Sequence, residues 1–238
     1  MLARRPCLLG AVLTALALCP ASTANAQLGA SLSLDSDDRF RGLSLSDGRP
    51  TLSVNLAYDH ASGAYAGISA IGADTAHAGV EALGYTGYVG YAARIKNGPT
   101  WDVGAANTDI TSYRYGRYRY NYSEVYAGLV GEHVSAHVYY SPDYLGEDLD
   151  TVYADLDGTI RPAPQWRLFG HLGVLAAVSG RAEPQGRRQQ YDLRIGVARE
   201  FKGCEVRLAW TTRSGHLVYP AGYRQSPDAL VLGASYFF

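Results

Sequence analysis

Polarity along this chain alternates with period two over segments of about ten residues, a pattern that gives a β-strand two chemically different faces. In the last segment Leu230, Leu232, Ala234, Tyr236 and Phe238 share one face, with Val231, Gly233, Ser235 and Phe237 on the other. Leu52, Val54, Leu56 and Tyr58 likewise alternate with Ser53, Asn55, Ala57 and Asp59. One parity joins Leu83, Tyr85, Val89, Tyr91 and Ile95, then Trp166, Leu168, Leu172 and Val174, then Tyr191, Leu193, Ile195 and Val197, and finally Val206, Leu208 and Trp210. The other parity carries charge: Asp155, Asp157, Arg167, His171, Asp192, Arg194, Glu205, Arg207 and Arg213. A soluble sandwich would turn those charges outward to water. An antiparallel transmembrane barrel instead sets the apolar face against lipid and lines its lumen with the charged one.

The pattern predicts an all-β, up-and-down barrel of about twelve strands near residues 28–37, 50–59, 64–73, 81–95, 100–109, 121–131, 133–141, 150–160, 166–178, 190–201, 204–213 and 229–238. Short connections at 60–63, 96–99, around Glu132, at 161–165 and at Lys202-Gly203 alternate with longer ones, the rhythm of periplasmic turns and surface loops. Trp101 and Trp166 open strands at the periplasmic rim and Trp210 falls late in another, so all three are expected at membrane interfaces.

Residues 1–26 read as a secretory signal, with basic Arg4 and Arg5, an apolar stretch from Leu8 to Leu18, and Ala24-Asn25-Ala26 before a mature barrel at 27–238. The apolar stretch is too short for a retained anchor, which needs roughly 20 residues. A lipoprotein at Cys19 is disfavoured by Leu18, where a small residue is required. Export of this kind points to the outer membrane of a Gram-negative cell. Cleavage leaves Cys204 as the single cysteine, so no internal disulfide is expected, and leaves 19 basic against 22 acidic residues. That balance argues against a nucleic-acid partner. The 19 tyrosines suit a wall meeting lipid at one end and water at the other, and the 27 glycines suit a curved sheet with close backbone approach.

At the C-terminus, Gly233-x-x-Tyr236-x-Phe238 resembles the signal read by the outer-membrane barrel assembly machinery, which with periplasmic chaperones would be a partner in biogenesis. The departure is Val231, where that signal usually has a polar residue. Near the mature N-terminus, Ser36-Asp37-Asp38-Arg39-Phe40-Arg41-Gly42-Leu43-Ser44, then Ser46-Asp47-Gly48-Arg49-Pro50, Tyr58 and Ser62-Gly63-Ala64-Tyr65-Ala66-Gly67 resemble the opening of the TorF family of porins. Tyr139-Tyr140-Ser141-Pro142-Asp143-Tyr144 is similar to a second landmark of that family. Asp38 stands where the family commonly has tyrosine. The resemblance implies an outer-membrane barrel and supplies no established substrate or catalytic residue.

Function must then be read from the lumen. Twelve strands lie between eight-stranded barrels filled by side chains and the wide 16–18-stranded porins, so the expected role is a narrow passage for small polar or anionic solutes. A two-residue turn at Lys202-Gly203 sets Asp192 opposite Arg213 and brings Arg194 and Arg207 onto the same wall; in the preceding hairpin Asp155 is expected to face His171, with Arg167 diagonal to Asp157. The same charges would neutralise one another in an occluded structural or interaction barrel. Arg39, Phe40, Arg41 and Gly42 read as a turn atop the first hairpin, its arginines open to phosphate or carboxylate. Arg114, Arg117 and Arg119 interleave with five tyrosines between Tyr113 and Tyr122, either a lipopolysaccharide contact or an extended hairpin. A lipid-acting outer-membrane enzyme is the alternative of a different class, but it is disfavoured because Ser135 with His137, and Ser214 with His216, lack a recognisable acid partner or nucleophile motif. No cofactor or metal is implied by Cys/His spacing or a phosphate loop.

Overall fold

The computed structural model describes residues 27–75, 79–112, 118–180, 188–215 and 226–238. The alternating segments form β1 (Gln27–Asp35), β4 (Thr51–Asp59), β5 (Ala64–Thr75), β6 (Gly79–Arg94), β7 (Thr100–Ser112), β8 (Tyr118–Val130), β9 (Val134–Ser141), β10 (Leu149–Ala163), β11 (Trp166–Gly180), β12 (Gln189–Phe201), β13 (Cys204–Arg213) and β14 (Ala229–Phe237). These twelve strands make one closed antiparallel barrel in which β14 returns to β1. Between β1 and β4, β2 (Arg39–Phe40) and β3 (Leu43–Ser44) form a separate two-stranded hairpin. No helix among the described residues is long and apolar enough to cross a membrane. Leu28, Leu56, Val89, Val138, Leu172, Ile195 and Leu232 stay exposed around the outside, while Ser33, Thr151, Glu205 and Ser235 are buried within. An outer face so apolar and an interior so polar suit lipid outside and a hydrated or self-neutralised lumen inside.

Connection lengths alternate as anticipated except at 76–78 between β5 and β6 and at 113–117 between β7 and β8, neither longer than the 95–99 turn, because these strands run past the expected boundaries. One side chain reverses its expected face. A bulge opposite Ile71 and Gly72 leaves Leu83 outside the regular pairing, and Leu83 is buried although Tyr85 remains exposed. The extra residue shifts parity by one and sends Leu83 inward.

Tyrosine divides between the two faces. Tyr58, Tyr85, Tyr91, Tyr140, Tyr191 and Tyr236 are exposed, whereas Tyr65, Tyr122, Tyr126, Tyr139, Tyr144 and Tyr153 pack together inside with Ala106, Leu145 and Leu175. Much of this interior packing is made possible by glycine. The Tyr65 ring covers Gly90 and the Tyr126 ring covers Gly104, so a Cβ at either position would run into the phenol above it.

The closing seam is polar. Arg207 donates to both carboxylate oxygens of Asp35 at 2.6 Å and to Ser235 Oγ at 2.6 Å, and Ser235 Oγ lies 2.8 Å from Ser33 Oγ. Gly233, opposite Asp35, has no side chain to obstruct this ion pair. Arg207→Gln leaves a largely buried carboxylate without its cation, and such losses cost about 3–5 kcal/mol. The barrel should consequently unfold at markedly lower temperature in a gel-shift assay of heat modifiability; an unchanged midpoint would show that backbone pairing alone closes the seam.

Candidate functional site

Residues 36–50 leave β1 and fold into the barrel rather than standing above it. Phe40 pairs with Leu43 across Arg41-Gly42, whose φ angles of 48° and 75° are both positive, as a type I′ hairpin turn requires. Holding a non-glycine residue there costs of order 1–3 kcal/mol. At Gly42 the tip meets the wall: a Cβ would lie 2.8 Å from Arg213 Cβ and 2.9 Å from Asp192 Cβ. Gln190 Nε2 donates to the Arg41 carbonyl at 2.9 Å. Asp37 organises the hairpin base, its Oδ1 accepting from the Ser44 and Ser46 hydroxyls and Gly48 N–H, and its Oδ2 from Arg39 Nε at 2.7 Å. Arg39 also reaches the carbonyls of Gly42, Ser226 and Pro227.

The turn delivers Arg41 across the lumen. Its Nη2 donates to Glu124 Oε1 at 2.7 Å and Oε2 at 2.8 Å, with both side chains almost wholly buried. The guanidinium carbon lies 4.1 Å from the Tyr153 ring centroid, 4.9 Å from Phe40, 5.5 Å from Tyr144 and 5.6 Å from Tyr139. Ring faces attract a cation, and the exclusion of water strengthens the ion pair. Tyr144 arrives on a 3-10 turn (Tyr144–Gly146) between β9 and β10 and meets Tyr122 edge-on at 4.9 Å. Thus the two segments singled out by resemblance, 36–44 and 139–144, meet at one guanidinium.

Other interior charges are organised in pairs and chains. Arg167 bonds Glu205 at 2.7 Å, and His171 lies between Asp157 at 2.9 Å and Asp192 at 3.0 Å. His137 Nε2 is 3.2 Å from Asp102, while its Nδ1 is 3.7 Å from Asp155. Tyr65 donates to Asp102 and lies 2.6 Å from the Tyr126 hydroxyl.

All nine charged residues expected on the lumen lie on inward-facing positions, and Asp192 stands opposite Arg213 with Phe201 and Cys204 flanking the two-residue turn. The preceding hairpin is registered differently. Asp157, not Asp155, faces His171, because the turn is only Pro164-Gln165 and an irregularity separates Ile160 from Ala163. Arg167 consequently pairs with Glu205 on β13 instead of approaching Asp157. The turn at Arg41-Gly42 forms, but inside the lumen, and Arg39 and Arg41 are engaged by this chain's own carboxylates. Glu124, Asp102 and Tyr153 were missed, and Tyr139 entered only through the 139–144 resemblance. Glu124 lies in a strand whose inward parity was readable, but nothing local marked its partner.

Trp101 lies 5.5 Å from Tyr91 by ring centroid near the short-turn end, Trp166 opens β11 beneath Arg199, and Trp210 pairs with Leu230 toward the other end. The outward rings of Tyr236 and Phe238 meet edge-on at 4.9 Å beyond the inward Gly233. Arg119 bonds Asp109 where β7 and β8 continue as an extended hairpin, while Arg114, Arg117, His216 and the 1–26 segment lie outside the described residues. Ser135 and His137 face the lumen, and the fold brings His137 the acid neighbours Asp102 and Asp155 that sequence spacing did not offer. Cys204 is a free, half-buried cysteine opening β13.

Among solved structures, the NanC porin is similar at a TM-score of 0.57 and 9% identity, over 88% of this chain and 99% of that one. A membrane protein crystallised in meso gives 0.53 at 7% identity, over 89% and 83%. LpxR from Salmonella typhimurium gives 0.43 at 8% identity, over 88% and 99%. The first two likenesses are likenesses of fold, that of an outer-membrane barrel. No curated protein matches the chain by sequence. A family model described as a bacterial protein of unknown function, Gcw_chp, matches residues 20–230.

Proposed function

Because the chain belongs to the Gcw_chp family of bacterial proteins of unknown function, its role has to be read from its own interior, and we propose a narrow, porin-like outer-membrane channel for small polar or anionic solutes, held closed by its inward-folded hairpin. The observation that carries this reading is the Arg41–Glu124 contact. It holds the hairpin across the lumen by an ion pair and ring faces, without a covalent tie. Contacts of this kind can be exchanged for water. The likeness of residues 36–67 and 139–144 to TorF-family porins supports the same reading. On this proposal residues 1–26 are a cleaved export signal, the assembly machinery reads the Gly233, Tyr236, Phe238 end, lipopolysaccharide surrounds the upper rim, and the barrel carries no catalysis.

Single-channel recording of the folded protein in planar bilayers tests it. Brief, infrequent openings are expected from the native chain and frequent ones once the hairpin is released. A second reading, a permanently occluded structural barrel, is favoured by the pairing of Arg167, Arg207, His137 and His171 with carboxylates. Silence from both the native and the hairpin-released barrel would select it.

The closed state also carries a pH dependence. Desolvation, together with Asp35 and Asp37, pushes the Asp38 carboxyl in the hairpin up to about 7, with Arg207 and Arg194 opposing. A carboxyl raised in the folded-in state favours that state below its ordinary pKa near 4, and the preference is lost as pH climbs through about 7. Open probability should therefore rise between about pH 4 and 7 and level off above that, and Asp38→Asn should flatten that rise; the same slope in the variant would assign it to another group.

A further inference from the structure

Resting on the channel reading above, we propose that Arg194 is the solute-binding residue of the lumen and that its ligand class is the small monocarboxylate. Arg39, Arg41, Arg167, Arg207 and Arg213 each donate to a carboxylate or carbonyl of the chain. Arg194 alone among these interior arginines makes no hydrogen bond or ion pair to a described residue, and its Nε is buried without a partner. It projects inward from β12 between His171 on β11 and Thr211 on β13, one inward position from Asp192, where the hairpin tip rests. The residue as a whole is half-buried.

Of Asp35, Asp38, Asp157 and Asp192, whose charges reach Arg194, three have other attachments, and Asp38, on the hairpin, makes no hydrogen bond to it. Asp157 and Asp192 hold the two ring nitrogens of His171, and Asp35 holds Arg207. A cation withdrawn from bulk water normally acquires a counterion at hydrogen-bond distance, and here no described residue provides one. An incoming anion completes the site. The planar guanidinium fork matches a carboxylate, which can accept two parallel hydrogen bonds. A second negative charge on the solute would meet Asp157 and Asp192, and like charges repel strongly where screening is weak. That excludes dicarboxylates and favours a single carboxylate on a small body, with the Thr211 hydroxyl on the same rung available to a polar substituent.

The test uses full-length barrel with Glu124→Gln to release the hairpin, recorded in chloride with acetate or succinate added, alongside calorimetric titration of acetate into the same detergent-solubilised protein. Acetate should bind and reduce the chloride current, and succinate should do so much less. Arg194→Gln should weaken the acetate effect at least tenfold in both measurements. Arg194→Lys, which keeps the charge but loses the fork, should fall between and serves if the Gln variant does not fold. Acetate binding that persists unchanged in folded Arg194→Gln, or succinate binding as well as acetate, overturns the assignment while leaving the channel intact. A folded barrel that never conducts yet loses its acetate heat with Arg194→Gln sinks the channel and keeps the site.

Discussion

Replacing Glu124 with Gln should turn a closed barrel into a conducting one. Arg41 sits almost fully buried, and its charge is met by Glu124 at 2.7 Å. Removing one partner of such a pair typically costs about 3–5 kcal/mol, because the remaining charge is uncompensated. In most proteins that cost lowers the stability of the whole fold. Here a less disruptive response exists: residues 36–50 join two barrel strands without belonging to the barrel sheet, so the hairpin can leave and Arg41 can rehydrate while all twelve strands stay paired. Relief of the turn, with Arg41 at φ 48°, favours departure as well. Every 1.4 kcal/mol is tenfold in a population, so about 3 kcal/mol predicts roughly a hundredfold rise in the open-to-closed ratio. Single-channel open probability measures it, with heat modifiability confirming the fold. Openings as rare as those of the native chain, in a folded variant, would show that the hairpin is not the barrier.

The second large effect concerns how the barrel is filled. Tyr126 lies over Gly104 and Tyr65 over Gly90, and their hydroxyls meet at 2.6 Å. Gly104→Ala introduces a methyl where the Tyr126 phenol already is, with the Val89 carbonyl close behind, so the ring must swing away from Tyr65. Overpacking of this kind costs about 1–3 kcal/mol, and the lost contact with Tyr65 adds to it. Gly104→Leu should prevent folding. Urea unfolding of Gly104→Ala, Tyr126→Ala and the double variant tests the cause: with the ring gone the alanine should cost little, so the two changes should be strongly non-additive. Additive losses would show that glycine serves the backbone at this position.

The Gly–Tyr pairs also show what a sequence can and cannot convey. Abundant glycine and tyrosine are visible as counts, and their compatibility with a barrel follows from chemistry. Which tyrosine covers which glycine depends on the register of neighbouring strands, which no local pattern reports. The tyrosine count pointed to a membrane-facing wall in general, whereas Tyr65 and Tyr126 are interior residues.

Register itself was legible where the turn was. Lys202-Gly203 is short and glycine-containing, so the Asp192 and Arg213 pairing followed from counting back along two strands. Between β10 and β11 the strands continue to Ala163 and Trp166 around Pro164-Gln165, and an irregularity near Ile160 adds a further shift, so the same counting placed Asp155 where Asp157 belongs. A bulge similarly turned Leu83 inward. Such irregularities are settled by how neighbouring strands pack, because one extra residue costs little locally and changes every later partner.

By itself, then, the sequence determined the barrel: period-two alternation leaves an apolar and a polar face on each strand, and closing twelve such strands satisfies both faces and every edge. It also determined which charges point inward, since parity survives small errors of boundary. Only the tertiary structure decided that Arg39–Gly42 turns inside the lumen and that Arg41, Glu124 and residues 139–153 meet there. Those partners come from separate strands and loops, and their attraction appears only when closure brings them within a few ångströms, where exclusion of water makes charge and ring faces strong enough to hold a loop.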